Sequence, residues 1–183
     1  MSHSSRTDEE LISEALEGHQ LAFREIVIRY QNQVGKTVIS MLGNNQEAED
    51  VGQEVFVRFY KSMPNFKGEA ALSTYLTRIA INLSLNELKR RKRRFLLFDS
   101  LDSDLGSKQS EAVAPTEDRV LKEKIERAIL ELNPKLRSVI VLRLVDGYST
   151  KETAEILGVP LGTVLSRLTR GQLKLREILK REL

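Results

Sequence analysis

An aromatic, a cation and two amides, Tyr75, Arg78, Asn82 and Asn86, recur at spacings of three, four and four. On a helix of about 3.6 residues per turn these intervals bring all four to one face. Such a face can stack on an unpaired base and hydrogen-bond its edges. The plainer reading is a polar, solvated outer face. Phe66 and Lys67 lie just ahead, in a loop with Gly68 that can close over a base. Lys89, Arg90, Arg91, Lys92, Arg93 and Arg94 follow as an unbroken cationic run. That run suits a phosphate backbone, and equally suits a helix end whose carbonyls attract cations.

A second chemistry-bearing stretch lies between Ser149 and Gln172. Ser149 with Glu152 forms a capping box, opening a short helix on which Ala154 and Leu157 turn inward. Gly158 can adopt positive φ, Val159 can plug a corner, and Pro160 opens another helix with Val164 and Leu168 inside. This is the pattern of a DNA-binding helix-turn-helix, whose second helix enters the major groove. Its outward residues are Thr163, Ser166, Arg167, Thr169 and Arg170. Arginine suits bidentate contact to guanine and grips phosphates. An ordinary helical hairpin is the alternative.

The elements that must hold these residues are all helical. Thr7 and Glu10 form a capping box before Leu11, Ile12, Ala15 and Leu16. Phe23, Ile26, Val27, Tyr30, Val34, Val38 and Leu42 then keep helical spacing until Gly43-Asn44-Asn45. Ala48, Val51, Val55 and Phe59 mark a third helix that ends before Met63-Pro64. A fourth starts near Leu72 and runs into the cationic run, with Leu76, Ile79, Ala80 and Leu83 facing inward. Phe95 to Phe98 either extend that helix or dock on a partner. Asp99 to Ser110 lose periodicity and are rich in Asp, Ser and Gly, the composition of a flexible linker. Beyond it Val120, Leu121, Ile125, Ala128, Ile129 and Leu132 form an inward stripe. After Asn133-Pro134, Leu136, Val139, Ile140 and Leu144 form another, closed by Asp146-Gly147. The expected fold is all-α: a helical domain over 1–94, a flexible acidic linker over 95–115, and a helix-turn-helix domain over 116–183.

Composition narrows the class. The 183 residues carry a net charge of +3, 30% charged and 5% aromatic residues, and no Trp. The longest apolar runs, such as Val139 to Leu142, fall far short of the roughly 18 residues of a membrane-spanning helix. The N-terminus lacks the apolar segment of a signal peptide. With no Cys and only His3 and His19, thiolate metal sites are excluded. A nucleic-acid enzyme would have to rely on carboxylates such as Glu47, Glu49, Asp50 and Glu54, on a helix without a phosphate loop. The expectation is a cytoplasmic protein that is not an enzyme, needs no cofactor and does not insert into membranes.

The stretch Ala48-Glu49-Asp50-Val51-Gly52-Gln53-Glu54-Val55-Phe56-Val57-Arg58 resembles the polymerase-binding helix of the extracytoplasmic-function (ECF) group of bacterial sigma factors. Gly18 to Phe23, Arg29-Tyr30, Phe66-Lys67-Gly68, Ser73 to Asn82, Leu132-Asn133-Pro134 with Arg137, and Gly162 to Leu168 are similar to that family in the same order. The resemblance implies that Asp50, Gln53, Glu54, Phe56 and Arg58 dock on core RNA polymerase. It implies that Phe66, Lys67, Tyr75, Arg78, Asn82 and Asn86 melt and hold the promoter −10 element, with Arg90 and Arg91 on its backbone. It further implies that Thr163, Ser166, Arg167, Thr169 and Arg170 read the −35 element as duplex, that the linker threads near the polymerase active-site channel, and that an anti-sigma factor controls the protein. Two positions depart from the family: Tyr75 stands where Trp is usual, and Leu165 where Lys or Arg is frequent. The chain ends soon after Leu179, and no added ligand-binding domain is expected. A DNA-binding regulator that never joins the polymerase shares the helix-turn-helix, but leaves the Asp50 to Arg58 surface without a purpose.

Overall fold

The computed structural model describes residues 6–98 and 117–182, and among them the regular elements are all helical. The helices are α1 (Asp8–Leu16), α2 (Gln20–Leu42), α3 (Gln46–Ser62), α4 (Leu72–Phe98), α5 (Glu117–Glu131), α6 (Pro134–Ile140), α7 (Thr150–Leu157) and α8 (Leu161–Glu182). A 3-10 turn at Met63–Asn65 follows α3, and a π-helical turn at Val141–Val145 continues α6.

The local signals behave as their chemistry dictates. Both capping boxes form: Thr7 with Glu10 at α1, and Ser149 with Glu152 at α7. Asn45 and Asn133 cap α3 and α6 through their side-chain oxygens, each cap being worth about 1 kcal/mol. Gly43 ends α2 at φ 84°, and Gly158 ends α7 in the left-handed region at φ 61°.

In the first module α2, α3 and α4 pack around Ile26, Val34, Val38, Val55, Phe59, Leu76 and Ala80, all nearly or fully buried. In the second, α6, α7 and α8 enclose Ile140, Leu142, Ile156, Val164 and Ile178. Three expectations need correction. Helix α4 continues without a break through Phe98, so the linker does not begin at 95; Phe95, Leu96 and Leu97 extend the helix with exposed side chains. The remainder of the expected linker, 99–115, lies outside the described residues. Of the stripe on and just after α5, only Ala128, Ile129 and Leu132 are buried, while Val120, Leu121 and Ile125 are exposed. Leu144, expected inside, is 52% exposed, because the π turn adds a residue and rotates it outward.

The two expected helical modules are present, and they also touch: α2 packs against α5, α6 and the π turn, and α4 packs against α6 and α7. Their buried residues form one continuous cluster. This packing explains why α7 buries Thr153 and Ile156 most deeply, with Ala154 and Leu157 only half-buried.

Candidate nucleic-acid interface

Helix α3 presents Asp50, Gln53 and Arg58 to solvent, with Glu54 half-buried and ion-paired to Arg58 at 3.0 Å. Phe56 differs. It is 9% exposed and belongs to the core, because its helical position falls on the side that packs against the bundle. The apolar side chains this helix does expose are Val57 and Tyr60. They continue the row begun by Asp50 and Gln53 at spacings of three, four and three. Sequence reasoning passed over both, although the spacing was available.

On α4 the four residues fall on one side as the periodicity dictates. Asn82 and Asn86 are exposed, Tyr75 and Arg78 half-buried, and Leu76, Ala80 and Leu83 point into the core. The loop residue Phe66 lies edge-on against Tyr75 with ring centroids 5.0 Å apart. Phe59 backs both rings at 6.1–6.2 Å. The Tyr75 hydroxyl is 3.2 Å from Ser62 Oγ. The loop therefore stands where it can wall one end of a base-binding face, with Lys67 exposed beside it.

The cationic run divides into two groups. Glu87, only 7% exposed, draws Arg90 at 2.7 Å, Arg91 at 3.4 Å and Arg94 at 3.3 Å. Arg91 also donates to the Leu42 carbonyl at 3.1 Å and to Asn45 Oδ1 at 3.2 Å. Arg91 thus holds α4 to the end of α2 and is not poised for phosphate. Lys89, Lys92 and Arg93 are exposed and have no ion-pair partner among the described residues, so they are the cations available to a polyanion. Glu87 precedes Arg90 by three and Arg91 by four, the spacing of intrahelical ion pairs, and that was the missed signal.

The helix-turn-helix forms as read. The Gly158 turn lets the Val159 amide donate to the Ala154 carbonyl at 3.1 Å, and Val164 is fully buried on the inner face of α8. Thr169 and Arg170 are exposed, and Thr163, Ser166 and Arg167 half-buried. The Ser166 and Thr169 hydroxyls donate to their own helix, at Thr163 O (3.0 Å) and Leu165 O (3.1 Å). Their oxygens keep lone pairs for base amino groups. Leu165, 47% exposed, adds apolar surface beside them where a cation would add charge.

The profile of the family described as "Sigma-70 region 2" matches residues 26–94, and that of "Sigma-70, region 4" matches 122–175. The ECF RNA polymerase sigma factor SigW of Bacillus subtilis is 37% identical over 177 residues, spanning 92% of this chain and 95% of that protein. The chain belongs to the ECF sigma factor family. Two solved structures share its fold. The sigma factor RpoE from Bartonella quintana, in complex with the anti-sigma factor NepR, is 22% identical with a TM-score of 0.70 over 86% of this chain and 96% of that one. CnrH, in complex with the cytosolic domain of CnrY, is 23% identical with a TM-score of 0.68 over 96% of this chain and 99% of that one.

As a sigma factor the chain is notable for how its modules meet. Gln33 Nε2 donates to the Tyr148 hydroxyl at 3.0 Å, and that hydroxyl lies 2.9 Å from Thr77 Oγ1. Lys36 Nζ donates to the Val145 carbonyl at 2.8 Å, and Thr37 Oγ1 to Asp146 at 3.0 Å. Burial pushes the Asp146 carboxyl up to about 6, against the pull of the Thr37 hydroxyl and Lys36. Burial likewise raises the Tyr148 hydroxyl. None of these contacts was legible in the sequence, because each joins residues more than 70 positions apart.

Proposed function

We propose that this sigma factor joins core RNA polymerase, through the α3 row of Asp50, Gln53 and Val57, and directs it to promoters by reading two DNA forms at once. The observation that carries the reading is the pairing on one chain of a base-stacking face on α4 with a helix-turn-helix on α7 and α8. The exposed amides Asn82 and Asn86, with Tyr75, Phe66 and Lys67, receive the unpaired −10 bases. Lys89, Lys92 and Arg93 hold their backbone. Ser166, Arg167, Thr169 and Arg170 face the −35 duplex, with Thr163 at the edge of that surface.

Energetics favour a bivalent reader. Flipping one base from the duplex costs a few kcal/mol, and stacking on an aromatic returns about 1–3 kcal/mol. One site is therefore near balance by itself, and fixing both on the polymerase turns two weak contacts into one selective one. The modules correspond to 1–98 and 116–183, and the protein works in the cytoplasm as a non-enzymatic initiation factor. No helix among the described residues is long and apolar enough to cross a membrane. Control by an anti-sigma factor is supported by the structural neighbour RpoE, solved in complex with the anti-sigma factor NepR. Run-off transcription with purified core polymerase on a random promoter library tests the proposal: selected, sequence-dependent start sites are expected, and initiation unchanged by the added chain overturns it.

A further inference from the structure

The outward face of α8 has two unlike flanks. Thr163, Arg167 and Arg170, at spacings of four and three, form one, and it carries the charge. Leu161, Leu165 and Thr169, each four positions after the last, form the other. Both leucines and Thr169 are exposed, while Val164 and Gly171 on the far side of the helix are buried. The leucines therefore do not belong to the core stripe. A single leucine in water needs no explanation. Two of them, one turn apart and beside arginines on a helix that follows the Gly158 turn, form an apolar strip on a surface otherwise suited to a polyanion.

The hydroxyls beside the strip narrow its chemistry. Thr169 donates to the Leu165 carbonyl at 3.1 Å, and Ser166 to the Thr163 carbonyl at 3.0 Å. With its proton committed, each offers a partner an acceptor oxygen, and Thr169 adds a methyl. An acceptor beside an apolar strip matches one base pair in the major groove. A·T presents the adenine N6 amino group as donor and the thymine C5 methyl as apolar surface. G·C presents a donor on cytosine N4 but no methyl.

We propose that the Leu161–Leu165–Thr169 flank reads thymine methyl groups, and so commits part of the −35 element to A·T pairs. This rests on the reading of α8 as the −35 helix and names what one side of it selects. Leu161 and Leu165 stand about 6 Å apart along the helix axis, against about 3.4 Å between successive base pairs, so the two leucines reach different pairs. The cationic flank of Arg167 and Arg170 is left for guanine or phosphate. The flank works without charge, so its selectivity survives salt concentrations that weaken the phosphate contacts.

Deoxyuridine differs from thymidine only by the missing methyl, and supplies the test. A template selected from the random promoter library by core polymerase carrying this chain is remade with deoxyuridine at each −35 thymine of either strand in turn. Binding should weaken about three- to fivefold at one or two positions, the weight of one buried methyl, and stay unchanged at the others. Leu165→Ala, at an exposed position, should keep its helicity and lose the difference at one of these positions. Leu161→Ala is the second variant, and serves alone if Leu165→Ala does not fold. Uracil bound as tightly as thymine at every position overturns the proposal, as does a −35 element without an A·T pair. A methyl effect that persists in both variants overturns it too. So does a loss in Leu165→Ala that is equal on thymine and uracil templates, which would assign the leucine to a protein surface. If no template is selected, the sigma-factor reading fails instead, and the same scan on duplexes retained by the free full-length chain decides the role of the flank.

Discussion

Arg91 and Arg137 grip consecutive carbonyls at the end of α2 from opposite modules. Arg91 donates to Leu42 O at 3.1 Å, and Arg137 to Met41 O at 2.6 Å. Arg137 also donates to the Leu130 and Leu132 carbonyls at the end of α5. It is 8% exposed and has no carboxylate partner among the described residues. Burial, and then the nearby charge of Arg91, lower its guanidinium to about 10. The negative ends of two helix dipoles and their unpaired carbonyls stand in for a counter-ion.

Replacing Arg137 with Met should leave three buried carbonyls short of a donor, and lower stability by about 2–4 kcal/mol. Arg137→Lys should recover less than half of that, because one ammonium cannot span the fork. Urea denaturation of the full chain checks both; Arg137→Lys as stable as the wild type would show that charge alone suffices.

Gly171 is the point of closest approach between α8 and α6. A Cβ there would lie 2.9 Å from Ile140 Cγ1 and 3.0 Å from Cδ1. Gly171→Ala should destabilise by about 1–3 kcal/mol through overpacking, despite the better helix propensity of alanine. The double variant Gly171→Ala/Ile140→Val should regain part of it, measured by thermal melting.

Asp146 makes closure sensitive to pH. Its carboxyl titrates near 6 in the packed state against an ordinary value of 3.8, so the closed chain binds a proton more readily than the open one. Closure therefore strengthens as pH falls through 6, and its dependence vanishes below about 4. Lys36 and the Tyr148 hydroxyl, which burial raises, are the other titratable groups facing it. From pH 7.5 to 5.5 the ratio of packed to parted modules should rise about fourfold, read from the distance between one dye on Asn32→Cys and another on Lys151→Cys. Asp146→Asn should hold the ratio constant.

The α3 surface separates two kinds of mutation. Asp50→Ala and Val57→Asp should abolish co-purification with core polymerase while melting is unchanged. Phe56→Ala should instead lower stability by about 3–5 kcal/mol, the cost of a truncated core aromatic. Wild-type stability in Phe56→Ala would return that side chain to the docking surface.

On α8, Arg170→Ala should weaken −35 binding by about 1–3 kcal/mol at one base position if it meets a base, and uniformly if it meets phosphate. Leu165→Lys should steepen the salt dependence of binding by about one counterion. Duplex titrations at several salt concentrations distinguish these outcomes.

What the sequence determined unaided was everything written within about one helical turn. Caps at Thr7, Asn133 and Ser149, the stop at Gly43, the turn at Gly158 and the shared face of Tyr75, Arg78, Asn82 and Asn86 follow from spacing and side-chain type, because helices are stabilised by neighbours three and four positions away. Motif order extended this to the family. Tertiary structure alone decided which polar residues would be buried. Thr37, Thr77, Arg137 and Thr153 look like surface residues in the chain, and become interior only when a distant helix covers them. It also decided which cations were left over: Glu87 and the end of α2 claim Arg90 and Arg91, and leave Lys89, Lys92 and Arg93 to the solvent. Burial and long-range pairing depend on how helices meet in space, and a one-dimensional pattern does not carry that information until the chain has folded.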